Sequence, residues 1–157
     1  MSTLAIGVMN DIEPKLPKLI GDERRLKQVM INLVRNALKF TKKGSIDIRA
    51  CYWPDPYNFL VIHVKDSGVG IAQEDFSKLF TRFGKLQRTA SVNDDGIGLG
   101  LTIVKKIVES CNGSVEAHSD GLGKGSLFCV VLRLNQYYEL PGDELSSDNK
   151  HPSLDVT

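Results

Sequence analysis

The spacing of the apolar residues changes several times along this chain, and that change restricts the folds open to it. From Asp22 to about Phe40 they recur at three- and four-residue steps, which predicts one long amphipathic helix. Elsewhere they alternate with polar residues, as at Ile46, Ile48 and Ala50, which predicts half-buried strands. A chain that mixes both periods is of the α+β class and not all-α.

The same patterns predict five strands and three helices. The strands are expected at Leu4–Ile12, Ser45–Tyr52, Asn58–Asp66, Ser114–Ser119 and Ser126–Leu134, and the helices at 22–40, Ala72–Phe80 and Leu101–Cys111. The glycines between the last two strands predict an antiparallel hairpin. We therefore expect a sheet of about five strands with three helices on one face.

Charge and composition indicate a cytosolic globular domain followed by an acidic tail. The 20 Lys and Arg residues nearly balance the 19 Asp and Glu residues, but the last 23 residues hold five acids and one Lys. We assign 1–134 to one folded domain and 135–157 to a flexible linker. The apolar stretches are too short to cross a membrane, and the three cysteines show no disulfide or zinc spacing, so we expect buried thiols in a reducing compartment.

Three polar residues of the long helix, Asn32, Asn36 and Lys39, are spaced to share one stripe, which we place opposite the apolar face. A carboxamide oxygen can occupy one position on a Mg²⁺ ion whose other ligands are water and phosphate, and a nearby lysine adds positive charge. An ordinary solvated helix face is the alternative interpretation.

A second candidate lies where the predicted third strand ends. Asp66 continues the apolar face of that strand, so its carboxylate faces the helices and needs a partner, which an adenine amine would provide. Gly68 and Gly70 would let the backbone approach a flat base. A turn closed by an Asx hydrogen bond is the alternative.

The glycines from Gly96 to Gly100 precede the last helix and predict a phosphate site at its N-terminus. The segment is not a dinucleotide fingerprint, because Leu101 stands where that pattern needs glycine or alanine. It is also not a Walker A loop, because no Gly-Lys-Ser/Thr follows.

Taken together, five segments resemble the asparagine, first-glycine, phenylalanine, second-glycine and third-glycine boxes of sensor histidine kinases, in the same order. They are residues 32–41, 66–71, 79–83, 96–101 and 121–125. The resemblance covers about residues 1–134. It does not include the two-helix segment that carries the phosphoacceptor histidine in that family, and His63, His118 and His151 are not in positions that suggest an acceptor.

The resemblance implies a fold and a set of site residues. The fold is the Bergerat fold, a two-layer α/β sandwich with a mixed sheet and a flexible ATP lid over about Gly84–Gly98. Asn36 would bind Mg²⁺, Asp66 would read adenine, and Asn32, Lys39 and Lys85 would act around the phosphates. Further contacts to ATP or ADP are implied for Gly68, Gly70, Ile71, Phe83, Gly96, Gly98, Leu99, Gly100, Leu101 and Ser126.

The implied activity is donation of the γ-phosphoryl group of Mg-ATP to a histidine on a separate helical domain, in a phosphorelay that continues to a receiver domain. Related ATP-hydrolysing machines place a glutamate where this chain has Asn32, and an amide is a poor general base, so transfer is favoured over hydrolysis. We expect a monomer that binds no nucleic acid. A nucleotide-binding or scaffolding module without kinase activity is the alternative.

Overall fold

The computed structural model describes residues 6–12, 18–19, 22–53, 59–82, 98–133 and 137–138. Their main feature is a five-stranded sheet in the order β1-β3-β4-β6-β5. The strands are β1 (Ile6–Ile12), β3 (Gly44–Trp53), β4 (Phe59–Asp66), β5 (Ser114–His118) and β6 (Ser126–Arg133). β1 runs parallel to β3 and every other pair is antiparallel, so the sheet is mixed, as predicted.

The long predicted helix is α1 (Glu23–Phe40). Asp22 caps it, because its Oδ1 atom accepts hydrogen bonds from the amides of Arg24 at 2.9 Å and Arg25 at 3.3 Å. The last helix is α2 (Gly100–Ser110), and it packs against α1. Both predictions are confirmed to within two residues.

The predicted middle helix, Ala72–Phe80, is instead a 3₁₀ helix over Gln73–Lys78. Its amides bond to carbonyls three residues back, as in the bond from Asp75 to Ala72 at 2.9 Å. A segment of this length is too short to nucleate a stable α-helix, and the packing of Phe76 against the core sets its geometry instead.

The core lies between the sheet and the helices. β4 shows why, because Leu60, Ile62, Val64 and Asp66 alternate with more exposed residues and all face the helices. The best-buried apolar side chains come from both layers, and they are Val29, Leu33, Ile46, Val64, Val104, Val108 and Val130. This is the two-layer sandwich that the sequence predicts.

A second, two-stranded sheet was not predicted. β2 (Lys18–Leu19) pairs antiparallel with β7 (Tyr137–Tyr138). The pairing places residue 138 beside the segment that leads into α1, which begins four residues after Leu19. No helix among the described residues is long and apolar enough to span a bilayer.

The sheet face turned away from the helices carries two of the three cysteines. Cys51 and Cys129 are half-buried there, and Cys111 is exposed at the end of α2, so the expectation of buried thiols is wrong. The helices cover only one face of the sheet, and the alternation of apolar and polar residues does not show which strand residues on the other face stay partly exposed to solvent.

His63 lies on the sheet face turned away from the helices. Burial and the nearby Arg49 lower its pKa, against an opposing effect of Asp47.

Replacing a core leucine should destabilise the domain far more than replacing an exposed one. Leu33 is 0% exposed and Leu122 is 57% exposed. We expect Leu33→Ala to lower the free energy of unfolding by about 2–5 kcal/mol and Leu122→Ala by less than about 0.5 kcal/mol. Urea titrations of both variants test this, and similar losses would contradict the assigned core.

His63 should make stability depend on pH in a predictable direction. Because its folded pKa lies below 6.5, the unfolded chain binds more protons between that lower value and 6.5. The contribution of the neutral His63 to the free energy of unfolding is therefore complete above pH 6.5 and declines as the pH falls through this window. Urea titrations at pH 7.5 and pH 6.0 give the loss of unfolding free energy on acidification for each protein. This loss should be smaller for His63→Gln than for the wild type, and equal losses would contradict a lowered pKa of His63.

Candidate functional site

The centre of the candidate site is Asp66, the last residue of β4. It is 5% exposed, and the sheet register places it directly opposite Ser126, the first residue of β6. The Ser126 hydroxyl donates a hydrogen bond to Oδ2 of Asp66, and the amide of Gly68 donates one to Oδ1 at 2.8 Å. The Asx turn considered as an alternative is therefore present, and the carboxylate also faces the helices as predicted.

The loop after Asp66, residues 67–71, is held from two sides and is called the Asp66 loop below. The amide of Val69 donates to the carbonyl of Phe40 at 3.2 Å, which ties the loop to the last residue of α1. The hydroxyl of Ser67 accepts a hydrogen bond from the amide of Ser45 at 2.9 Å, which ties it to β3. The helix end and the carboxylate are thereby held at a constant separation.

A third anchor comes from the glycine loop 121–125. The amide of Gly123 donates to the carbonyl of Val69 at 2.7 Å. Ser119 joins the two loops, because its hydroxyl accepts from the amide of Ile71 at 3.0 Å and donates to the carbonyl of Gly125 at 2.6 Å. Ser119 is not among the predicted site residues, since a serine at a strand end carries no sequence signal of such a role.

The structure gives Gly68 and Gly70 a packing reason. A Cβ on Gly68 would lie 2.4 Å from the carbonyl oxygen of Phe40, and one on Gly70 would lie 2.0 Å from that of Gly121. Gly70 also has a φ of +68°, which L side chains rarely adopt. These glycines permit the loop to pack against α1 and the glycine loop.

The sequence analysis places Asn32, Asn36 and Lys39 opposite the apolar face of α1, and this prediction is wrong. In the structure they lie beside that face. All three are half-buried, and the face opposite the core is formed by other residues. The reason is angular, since Asn36 lies only about 20° around the helix from Val29. The stripe therefore borders the core.

The three polar residues have different neighbours. Asn36 lines the pocket described below. A Cβ on Gly100 would lie 3.0 Å from Oδ1 of Asn32, which places Asn32 where α1 meets the start of α2. Its Nδ2 donates to the carbonyl of Gln28 at 2.8 Å, and the amine of Lys39 lies 5.6 Å from the centre of the Phe40 ring.

The N-terminus of α2 follows Gly98, which has a φ of +75°. Leu99 is the N-cap residue, and it forms no side-chain hydrogen bond to the first turn. Helix N-termini leave amides pointing outward and carry partial positive charge. This end of α2 can therefore receive an anion.

These elements surround a pocket with an internal volume of about 50 Å³, which is open to solvent at its mouth. Of the predicted residues it brings together Asn36, Asp66, Gly70, Ile71, Leu101 and Ser126.

Other predicted residues do not line the pocket. Asn32, Lys39, Gly68, Gly98, Leu99 and Gly100 stand near it on α1, in the loop after β4 or at the start of α2. Phe83, Lys85 and Gly96, with most of the predicted lid, lie outside the described residues.

The pocket wall also contains residues that the sequence analysis did not single out as ligand contacts: Phe40, Val69, Leu79 and Phe128. Phe40 and Leu79 lie in predicted helices, Phe128 in a predicted strand and Val69 in the segment 66–71, and nothing in their spacing marks them as pocket residues. A pocket with apolar walls and one buried carboxylate suits a flat heterocycle that carries a hydrogen-bond donor.

Comparison with protein families agrees with this geometry. Residues 21–136 match the family of histidine kinase-, DNA gyrase B- and HSP90-like ATPases. The chain belongs to this family. The matched range contains α1, the Asp66 loop, α2 and the glycine loop, so it includes the whole pocket.

A named relative is similar to most of the chain. The Non-motile and phage-resistance protein of Caulobacter vibrioides is 40% identical over 131 residues, which is 82% of this chain and 15% of that protein. The chain therefore spans a small part of that relative.

Solved structures of histidine kinases have the same fold. Full-length ShkA in complex with AMPPNP superposes with a TM-score of 0.69 at 29% identity, covering 82% of this chain and 26% of ShkA. The catalytic domain of ThkA gives 0.67 at 28%, covering 82% and 80%. The mycobacterial sensor histidine kinase MprB gives 0.68 at 26%, covering 82% of each. The predicted fold and family are confirmed.

A methyl group on Gly70 should separate the glycine loop from the Asp66 loop. Gly123 is the matched control, because its φ of +75° is similar but a Cβ there meets nothing within 4 Å. We expect Gly70→Ala to lower the unfolding free energy by about 1–3 kcal/mol more than Gly123→Ala, since only Gly70→Ala adds a clash to the backbone strain. Equal losses in chemical denaturation would contradict the packing described.

Proposed function

We propose that this chain binds Mg-ATP and donates the γ-phosphoryl group to a histidine on a separate helical domain. The observation that carries the proposal is the buried Asp66 carboxylate in an apolar pocket, held by Ser126 and by the amide of Gly68. The family match and the relative crystallised with AMPPNP support nucleotide binding.

Asp66 would select adenine. Its carboxylate accepts hydrogen bonds and has lone pairs beyond the two that Ser126 and Gly68 use. The exocyclic amine of adenine is a donor, whereas guanine presents a carbonyl oxygen at the same ring position and would meet the carboxylate as a second acceptor. Leu79, Leu101 and Phe128 would pack against the ring.

The phosphates would lie toward the N-terminus of α2, where the amides near Gly98, Leu99 and Gly100 and the helix dipole favour an anion. Lys39 on α1 would add positive charge. By the resemblance, Phe83, Lys85 and Gly96 complete this part of the site from the predicted lid.

Asn36 is the residue that would hold Mg²⁺. Among the described residues no group of three His, Cys, Asp or Glu side chains could hold a metal ion by itself. The half-buried Asn36 amide in the pocket suits an ion that takes most of its ligands from phosphate and water. When bound, Mg²⁺ would offset the negative charge of the phosphates.

The residue at position 32 favours transfer over hydrolysis. Its amide nitrogen donates to the carbonyl of Gln28, and an amide does not accept a proton from water at neutral pH. The chain would therefore hold the phosphates in position and leave the attacking group to an incoming imidazole.

The partners follow from this role. The acceptor histidine would come from a helical phosphoacceptor domain, and the phosphoryl group would pass on to a receiver domain in two-component signalling. We propose a monomeric nucleotide-binding domain over residues 1–134 in the cytosol, followed by an acidic linker over residues 135–157 whose first part includes β7.

Calorimetric titration with ADP and Mg²⁺ tests nucleotide binding. Asp66→Ala should weaken binding at least about tenfold, because a charge-assisted hydrogen bond contributes about 1.5–3 kcal/mol. Asp47→Ala is the matched control: this aspartate bonds to Arg49 on the other face of the sheet, and its loss should leave affinity unchanged. Absence of binding by the folded wild type would favour a scaffolding module.

Phosphate release from ATP tests the role of Asn32. The wild type should release phosphate from ATP at a negligible rate without a histidine-bearing partner, whereas Asn32→Glu should raise Mg²⁺-dependent release. Steady hydrolysis by the wild type, followed as phosphate release, would contradict the preference for transfer.

A further inference from the structure

The solvent side of α1 carries both aliphatic and basic side chains. Its outer face consists of six exposed residues, Arg24, Lys27, Gln28, Ile31, Arg35 and Leu38. At 3.6 residues per turn they lie within a stripe about 100° wide, opposite the buried Val29 and Leu33. The stripe is therefore one continuous surface.

Two large aliphatic side chains lie in the middle of this surface. Ile31 is 63% exposed and Leu38 is 47% exposed. They stand seven residues apart, which is roughly 10.5 Å along the axis, and Arg35 lies between them. A surface of this kind suits a segment with leucines and carboxylates.

The charge of the outer face is positive. Arg24, Lys27 and Arg35 supply three cations, and of these Lys27 forms an ion pair with Glu23 at 2.5 Å. Lys42 and Lys43, both exposed, continue the basic surface just beyond the end of the helix. Opposite charges favour association and set its orientation.

The complementary segment is in the same chain. Residues 139–157 contain five acids and one Lys, and they contain three leucines, at positions 140, 145 and 154. Asp143 and Glu144 directly precede Leu145, so aliphatic and acidic side chains are interleaved there as aliphatic and basic ones are on α1.

The topology brings this segment close to α1. Tyr138 pairs with Lys18, and Lys18 is four residues before the cap Asp22, a distance of at most about 14 Å. An extended run of 19 residues reaches roughly 60 Å, while α1 is about 27 Å long. Residues 139–157 can therefore reach every part of the outer face.

We propose that residues 139–157 dock on the outer face of α1, with their leucines on Ile31 and Leu38 and their carboxylates beside Arg24 and Arg35. The contact is intramolecular and electrostatically assisted. It covers a surface on the side of α1 away from the core and does not depend on nucleotide binding.

Paramagnetic broadening in the full chain tests the proposal. A nitroxide is attached at Ser147→Cys in a background with Cys51→Ala, Cys111→Ser and Cys129→Ala, and an unchanged amide spectrum verifies the fold. The signals of residues 27–38 should lose at least half of their intensity at low salt, while those of β5 keep theirs. Signal loss should shrink at high salt, because screening weakens the attraction.

Charge reversal supplies the matched comparison. Arg35→Glu should restore most of the lost intensity, whereas Lys105→Glu, at an exposed lysine of α2, should restore none. Unaffected α1 signals, or equal effects of the two variants, would overturn the proposal. Equal broadening when the nitroxide is on a second copy of the chain that carries no isotope label would also overturn it, because the occupant would then be another molecule.

Discussion

The hydrogen-bonded Asp66 carboxylate is the point on which this site depends. Burying a carboxylate is costly unless hydrogen bonds replace its water, and here Ser126 and the amide of Gly68 supply two of them. The strand register provides the first and the turn after β4 provides the second. One residue therefore ties the pocket floor to both the sheet and the loop.

Close backbone packing extends this arrangement to the rest of the pocket. The Asp66 loop contacts the end of α1 through Phe40 and the glycine loop through Gly123. No Cβ fits at Gly68 or Gly70 without a clash. Since α1 carries Asn36, the same contacts set the position of the proposed magnesium ligand relative to Asp66.

The two faces of α1 have different proposed roles. Its inner side and the bordering polar stripe form part of the pocket, whereas the outer face is basic and partly aliphatic. The two proposed roles are compatible because residues on opposite sides of a helix contact different neighbours. Contacts on the outer face can change without altering the pocket wall.

The sequence by itself determined the α+β class, all five strands of the main sheet to within about two residues where they are described, and both α-helices, because apolar period reports local geometry directly. Six of the predicted residues line the pocket, among them Asp66, Asn36 and Ser126. Only the tertiary structure decided the place of β6 between β4 and β5, the 3₁₀ geometry of 73–78, the β2 and β7 pairing, and the role of Ser119. Each of these depends on contacts between residues far apart in the chain, and local spacing carries no information about such contacts.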